Sequence, residues 1–451
     1  MKIIFSKQVS HLASRTKQIL HGNDEYAVLY RSAAYSMGIK VFAVAASFLM
    51  NWTFSRYLGA NGVGEFFLIF AVINICSMVG KLGMDKTALR YISVYSSQNL
   101  WGKVKGVQFF AFKTVAVFTF FMSVLLFLLA SHIAVHWFKK PDLINLIRWF
   151  ALCIVPLAIV QNTGDALKGV KRVQLSQILY DALLPTIAIS IFLLWPVKTS
   201  LSSVQSYLAA TLIVFFITQF AWRHALSSYK IKRQEVSSKE IMQTAMPVFW
   251  TSIFQQVNQW LPAFMLGLWA STKDVGLFQV ALRTAQLLII FQYGFYSNLS
   301  PKISALYAQG QIGKIKDLCR RTTRLICILA LPLLIVFTIF SKFFVGLFGH
   351  EFEAAAPLLA IMAAGQYYNI IMGPVGISLI MCNREKKLRN SLAISSCSLL
   401  VLNIVLIPAF GALGAAIASC IVLVLQNTLA GFFLWKELGI ITLPLLKNKA
   451  D

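Results

Sequence analysis

Acid is scarce in this chain: 16 Asp and Glu stand among 451 residues, against 41 Lys and Arg, and charged residues of both signs make up only 13% of the whole. Membrane glycosyltransferases and polymerases usually need acidic metal-binding pairs or a large extramembrane loop with catalytic carboxylates. Here the longest loops are about 30 residues and basic. HExxH, a Walker loop, a nucleophile elbow and a catalytic dyad are all lacking, so no enzyme chemistry, metal site or cofactor is read. The seven cysteines (Cys76, Cys153, Cys319, Cys327, Cys382, Cys397 and Cys420) fall mostly in apolar segments without CxxC or metal spacing, as small buried hydrophobes do. An early short apolar core, the mark of a cleavable signal peptide, is also lacking. Residues 1–30 instead mix Lys2, Lys7, Arg15 and Lys17 with Ile3, Ile4, Leu12, Ile19 and Leu20, which predicts an amphipathic lead-in along the cytoplasmic surface.

What fills the chain is apolar: 58% hydrophobic residues and a mean hydropathy of +0.71 exclude a soluble globular protein and imply an integral membrane protein. A net charge of +25 would suggest nucleic acid in a soluble protein. In a membrane protein, Lys and Arg on cytoplasmic loops set orientation, so no nucleic-acid partner is expected. Stretches long enough to cross a bilayer run at roughly 33–55, 64–83, 107–131, 144–165, 174–196, 203–222, 243–269, 276–299, 322–347, 355–380, 388–409 and 411–435. With the N-terminus inside, 32 of the 41 cationic residues fall on the cytoplasmic side, 6 on the other (Arg56, Lys139, Lys140, Lys198, Lys273 and Lys342) and 3 inside spans (Lys40, Arg148 and Arg283). That asymmetry predicts twelve spans with both termini cytoplasmic.

The chain also repeats itself. Val63-Gly64-Glu65-Phe66 returns 212 positions later as Val275-Gly276-Leu277-Phe278, and Gly102-Lys103-Val104-Lys105 returns nearly in step as Gly313-Lys314-Ile315-Lys316. Gly164 and Arg172 are echoed by Gly376 and Arg384. One unit is used twice. The predicted organisation is a lead-in at 1–30, a six-helix lobe at 31–226, a cytoplasmic linker at 227–240, a second six-helix lobe at 241–438 and a cytoplasmic tail at 439–451. An even number of spans per copy gives both lobes one orientation, related by a pseudo-two-fold axis along the membrane normal. In transporters this arrangement puts the substrate between the lobes near mid-membrane. Pro247, Pro262, Gly294, Pro332 and Gly373-Pro374 mark candidate bends or breaks.

Polar residues share a helical face on the first span (Ser36, Lys40, Ser47, Asn51), the seventh (Thr251, Gln255, Asn258, Gln259) and the eighth (Gln279, Arg283, Gln286). Lys40 and Arg283 lie about 10–12 Å along their helices from opposite surfaces, near the centre of a ~30 Å apolar layer. A charge there costs at least ~2.5 kcal/mol and normally faces a wet cavity. Arg283 has no counterpart in the first copy, where the equivalent position is Ala71. Arg148 is kept as a candidate contact, although its position close to the outer surface suits snorkelling. Asp181 is the one acid more than a turn inside a span, and as neutraliser, proton site or structural partner it is the candidate for coupling. A cationic interior with amide donors suits a phosphate carrying hydroxyl-rich sugars.

These residues resemble the polysaccharide flippases of the multidrug, oligosaccharidyl-lipid and polysaccharide exporter superfamily, the bacterial O-antigen flippases in particular. The signatures are Ser55-Arg56-Tyr57-Leu58-Gly59 with Gly62-Val63-Gly64-Glu65-Phe66, Leu82-Gly83-Met84-Asp85 with Ala88-Leu89-Arg90-Tyr91, Val275-Gly276-Leu277-Phe278 with Ala281-Leu282-Arg283, and Ile407-Pro408 with Gly411 and Gly414-Ala415-Ala416-Ile417-Ala418. They cover nearly everything from Tyr30 to Leu438. The resemblance implies an all-α inner-membrane transporter that moves an undecaprenyl-diphosphate-linked oligosaccharide from the cytoplasmic to the periplasmic leaflet, as in lipopolysaccharide O-antigen assembly. It implies a cationic lumen at Lys40 and Arg283, driven by a proton, sodium or the membrane potential, in a monomer that works beside membrane lipids, a polysaccharide polymerase and a chain-length regulator. A multidrug exporter of cationic compounds is the alternative within the superfamily, and should place acids in its cavity.

Overall fold

The computed structural model describes residues 25–229 and 231–444. Most of the predicted lead-in, the end of the predicted tail and the side chain of Ser36 lie outside the described residues. Every regular element among the described residues is helical.

Eight helices are long and apolar enough to cross a membrane, and the pair Leu143–Ala151 and Ile154–Gly169, bent by 41°, makes a ninth. Two of the eight are of double length: Met37–Lys81 has 45 residues and Glu385–Leu438 has 54. At 1.5 Å per residue these would reach about 68 and 81 Å, more than twice the ~30 Å apolar layer. Each folds back at a glycine whose backbone lies outside the helical region, Gly59 at φ 67° and Gly411 at φ 53°. They therefore supply spans one and two, and eleven and twelve. The helix Ser238–Trp269 completes the twelve as the seventh span. Its apolarity is diluted by Gln255, Gln256, Asn258 and Gln259, the residues that a cavity-facing span would carry.

The predicted break at Gly373-Pro374 is present: the tenth span runs Ala356–Met372, stops at Gly373 with φ 72°, and resumes as Val375–Met381. Pro247, Pro262 and Pro332 stay inside continuous helices. The eighth span is instead interrupted by a tight turn at Gln286–Ile289, between Thr272–Ala285 and Ile290–Ala308.

Lipid offers helices no hydrophobic reason to associate, so packing and small residues must hold the lobes. Inside the first lobe Phe54, Phe66, Phe150 and Phe192 are fully buried, with ring centroids 4.8 Å apart for Phe54–Phe192 and 5.0 Å for Phe54–Phe66. Such pairs contribute about 0.5–1.5 kcal/mol each. Between the lobes the repeat meets itself. A Cβ on Gly64 would lie 1.7 Å from the carbonyl oxygen of Thr272, and one on Gly276 would lie 2.1 Å from that of Ala60. Thr272 and Gly276 sit 212 positions after Ala60 and Gly64, so the two close approaches are the same contact related by the pseudo-two-fold.

The same end of the molecule carries two reciprocal polar contacts. Lys140, on the loop before the fourth span, donates to the carbonyls of Gly267 (3.0 Å) and Ala270 (2.9 Å) in the last turn of the seventh. Glu351, at the start of the tenth span, accepts from the amide of Ala60 (3.1 Å) in the first turn of the second. Each lobe thus places a charge on the helix end of the other whose dipole it complements. Burial pushes the Lys140 ammonium below its usual range, with Asp274 and Glu65 pulling the other way.

Candidate functional site

Away from that closed end the lobes part around a cavity of about 680 Å³ lined by spans from both. The first lobe contributes charge. Lys40 reaches it from the first span and Asp181 from the fifth, where a π-helical turn at Gln177–Leu183 widens the helix, as such turns often do at functional sites. Their side chains form an ion pair, Lys40 Nζ to Asp181 Oδ2 at 2.8 Å, with both about two-thirds buried. Lys40 Nζ also stands 5.8 Å from the ring centroid of Tyr293. Asp181 is thereby the neutraliser of a neighbouring cation.

Arg283 enters from the eighth span, just before its interruption. Its guanidinium lies 5.4 Å from the Trp260 ring and 5.8 Å from Phe67, makes one 3.4 Å bond to Gln286, and leaves Nε buried without a partner. Among the described residues lining the cavity it is the one cation with no carboxylate partner. Cancelling Lys40 against Asp181 leaves the lining with the net positive charge of Arg283.

Beside Arg283 the second lobe contributes amides. Gln255, Asn258, Gln259 and Gln286 line the cavity as predicted from their helical faces, and Asn51 joins them from the first span with its carbonyl oxygen unpartnered. Asn258 is committed to structure: its amide donates to Ser395 (3.0 Å) and Gln426 (3.2 Å) and accepts from Ser396 (2.8 Å), tying spans seven, eleven and twelve.

Two predicted contacts are not in the lining. Gln279 shares a face with Arg283 but is fully buried, one turn nearer the closed end; there the lobes converge at Gly276, and the face that lines the cavity lower down lies inside the interface. Arg148 turns to the third span, bonding Ser131 at 3.4 Å and lying 5.7 Å from the Phe127 ring, away from the cavity. Conversely, Gln366 on span ten, Gln426 and Ser419 on span twelve, Gln161 on span four and Tyr293 on span eight line the cavity without having been anticipated. Ser419 and Gln426 stand seven residues apart in an apolar stretch and Gln366 shares its span with Asn369, so their helical faces carry too few polar residues to announce a cavity.

Below Asp181 a polar chain continues into the first lobe. The Gln161 amide donates to the Tyr180 hydroxyl (2.7 Å) and accepts from Lys81 (2.6 Å), and Lys81 pairs with Asp85 at 3.1 Å. Burial opposes ionisation of Asp85, yet Lys81 and Lys86 hold it below the usual carboxylate range. Asp165 accepts from both Lys86 (2.6 Å) and Lys168 (2.7 Å).

Residues 29–306 match the family model described as "Polysaccharide biosynthesis protein". The chain belongs to that family. A second model, MatE, matches residues 247–409, so both lobes fall within the multidrug, oligosaccharidyl-lipid and polysaccharide exporter superfamily. A curated relative, the probable low-salt glycan biosynthesis flippase Agl15 of Haloferax volcanii, is 23% identical over 90% of this chain and 83% of its own length. Among solved structures, the lipid II flippase MurJ in an inward closed conformation aligns with a TM-score of 0.70 at 13% identity, over 90% of this chain and 87% of that one. An inward-facing multidrug resistance MATE family transporter aligns at 0.68 and 13%, over 90% and 98%. At such identities these structures establish the shared fold: two six-helix lobes around a central cavity.

Proposed function

We propose that this family member is a flippase that carries a lipid-diphosphate-linked oligosaccharide across the membrane by alternating access through the cavity, with Arg283 as the anchor for the diphosphate. The supporting observation is the charge balance of the lining: its one acid is occupied by Lys40, while Arg283 stays buried and short of partners. A cavity of that sign repels the cationic compounds of a drug exporter and suits a planar, bidentate contact with phosphate. The surrounding amides match sugar hydroxyls.

The finer reading follows the sequence. The lipid is undecaprenyl and the glycan an O-antigen or similar repeat unit. The membrane is the bacterial inner membrane, with both termini cytoplasmic, residues 227–240 as the linker between the lobes, and a polymerase and chain-length regulator downstream. With that orientation, the end held by Lys140 and Glu351 is periplasmic, and the structure is the state closed to the outside.

The membrane potential supplies the drive. A diphosphate carries about two negative charges, and moving each outward through the whole field is favoured by ~2.3 kcal/mol per 100 mV. The empty carrier returns with the positive charge of Arg283, again in the favoured direction. Proton or sodium coupling would have to act through Asp181, by releasing Lys40 when the carboxylate is neutralised. Deletion of the gene in the native host tests the proposal: surface polysaccharide should disappear while the lipid-linked repeat unit accumulates on the cytoplasmic leaflet. Intact polysaccharide with heightened sensitivity to cationic drugs would favour the exporter.

A further inference from the structure

We infer that the wall of the cavity formed by spans seven, ten and twelve is a sugar-reading subsite in which Gln366, Gln426 and Ser419 determine which sugar next to the diphosphate is accepted. The inference rests on the flippase reading and assigns it a division of labour. The ion pair of Lys40 and Asp181 lies on the first lobe, whereas Gln255, Gln366 and Gln426 share the second lobe with the unpaired Arg283.

The amide wall is built. Gly365 lets the tenth span close on the twelfth, since a Cβ there would lie 2.9 Å from Cys420 Sγ. That crossing brings Gln366 and Ser419, the chain neighbours of Gly365 and Cys420, to the same part of the cavity. Gln426 is oriented from behind: its carbonyl accepts from Asn258, itself held by Ser395 and Ser396, so its NH2 group is left for a ligand. Ser419 Oγ is buried and unpartnered, and Gln366 forms no hydrogen bond among the described residues.

An amide offers one acceptor and two donors in a plane, the pattern that vicinal sugar hydroxyls can satisfy in one epimer and not in another. A site built to hydrogen-bond a hydroxyl rejects a ligand that misplaces it far more strongly than an apolar wall can, because its own buried groups are then left unpaired. A volume of about 680 Å³ is in the range of small-ligand sites and holds the diphosphate with only the nearest sugars, so the sugar at the linkage is the one read.

The test uses the full-length protein in proteoliposomes and two probes, polyprenyl diphosphates carrying N-acetylglucosamine or N-acetylgalactosamine, which differ at one hydroxyl. The wild type should prefer one probe, and Gln366→Leu and Gln426→Leu should each change the ratio of the two rates by about tenfold or more, with Gln366→Asn intermediate. Lys40→Ala should slow both probes by the same factor. A ratio unchanged in both leucine variants, with both probes still flipped, would overturn the subsite while leaving the flippase reading in place. No flipping of either probe by well-folded wild-type protein would instead remove the reading on which the subsite rests.

Discussion

Lys40 and Asp181 meet at 2.8 Å across the first and fifth spans, so the one acid among the described residues of the cavity lining neutralises one of the two cations there. The pair joins two helices of the same lobe, and either member alone would be an uncompensated charge in an apolar layer. Asp181→Asn and Lys40→Ala should each destabilise the purified protein, and the double variant should be more stable than the two single effects added. Contacting residues commonly couple by about 0.5–3 kcal/mol, and at least ~1 kcal/mol is expected here. Additive thermal shifts in a double-mutant cycle would show that the contact has no energetic content.

The same pair separates the two driving forces. In vesicles, collapsing the potential with a potassium ionophore at a fixed pH gradient should slow flipping several-fold. Flipping that persists, and stops only when the pH gradient is removed, would transfer the coupling role to Asp181.

Gly64 and Gly276 should tolerate no side chain while the lobes are closed at their end. Alanine at either position puts a Cβ against a backbone carbonyl, 1.7 Å from Thr272 or 2.1 Å from Ala60, and neither oxygen can rotate away. Overpacking of this kind costs about 1–3 kcal/mol. Both variants should therefore lose transport and disfavour the closed state, whereas Gly313→Ala, with nothing within 4 Å, should behave as wild type. Full transport by Gly64→Ala would mean that the close approach is not part of the cycle.

Lys140 and Glu351 hold opposite lobes by opposite charges, and loosening them should open the closed end. In a background without the seven native cysteines, a single Cys at Asn51 should react several-fold faster with an impermeant maleimide added from outside when Lys140→Ala and Glu351→Gln are combined. A companion Cys at Lys139 should be labelled from outside in every variant, and one at Lys232 never. Labelling at 232 and not at 139 would invert the topology.

Much of this architecture was legible in the chain because its causes are local or periodic. The twelve apolar stretches follow from bilayer thickness, and the 212-residue echo foretold two lobes whose equivalent glycines prove to touch. Arg283 was legible because a mid-membrane charge needs a reason. The pairing of Lys40 with Asp181 was not, since it depends on the rotation of two spans separated by 141 residues of chain and on a π-helical turn without a clear sequence mark. Gln279 misled because helical phase fixes a face and not a depth, and three residues from Gly276 that face is already closed. Gln366 and Gln426 were hidden for the opposite reason: their spans carry few polar residues and no charge, and only the crossing at Gly365 and Cys420 brings their helices together.

Arg283 carries the central claim, that a fixed positive charge in a low-dielectric cavity anchors a diphosphate, and one flipping assay tests it most directly. Wild type, Arg283→Ala and Arg283→Lys would be reconstituted in proteoliposomes with a polyprenyl-diphosphate-linked glycan, and the outward movement of the labelled sugar followed. Losing a charge-assisted, bidentate contact removes about 2–5 kcal/mol, so the alanine variant should fall by more than tenfold although it folds. The lysine variant, which keeps the charge and loses the planar fork, should retain part of the rate. An alanine variant that flips the lipid-linked glycan at the wild-type rate would contradict the account.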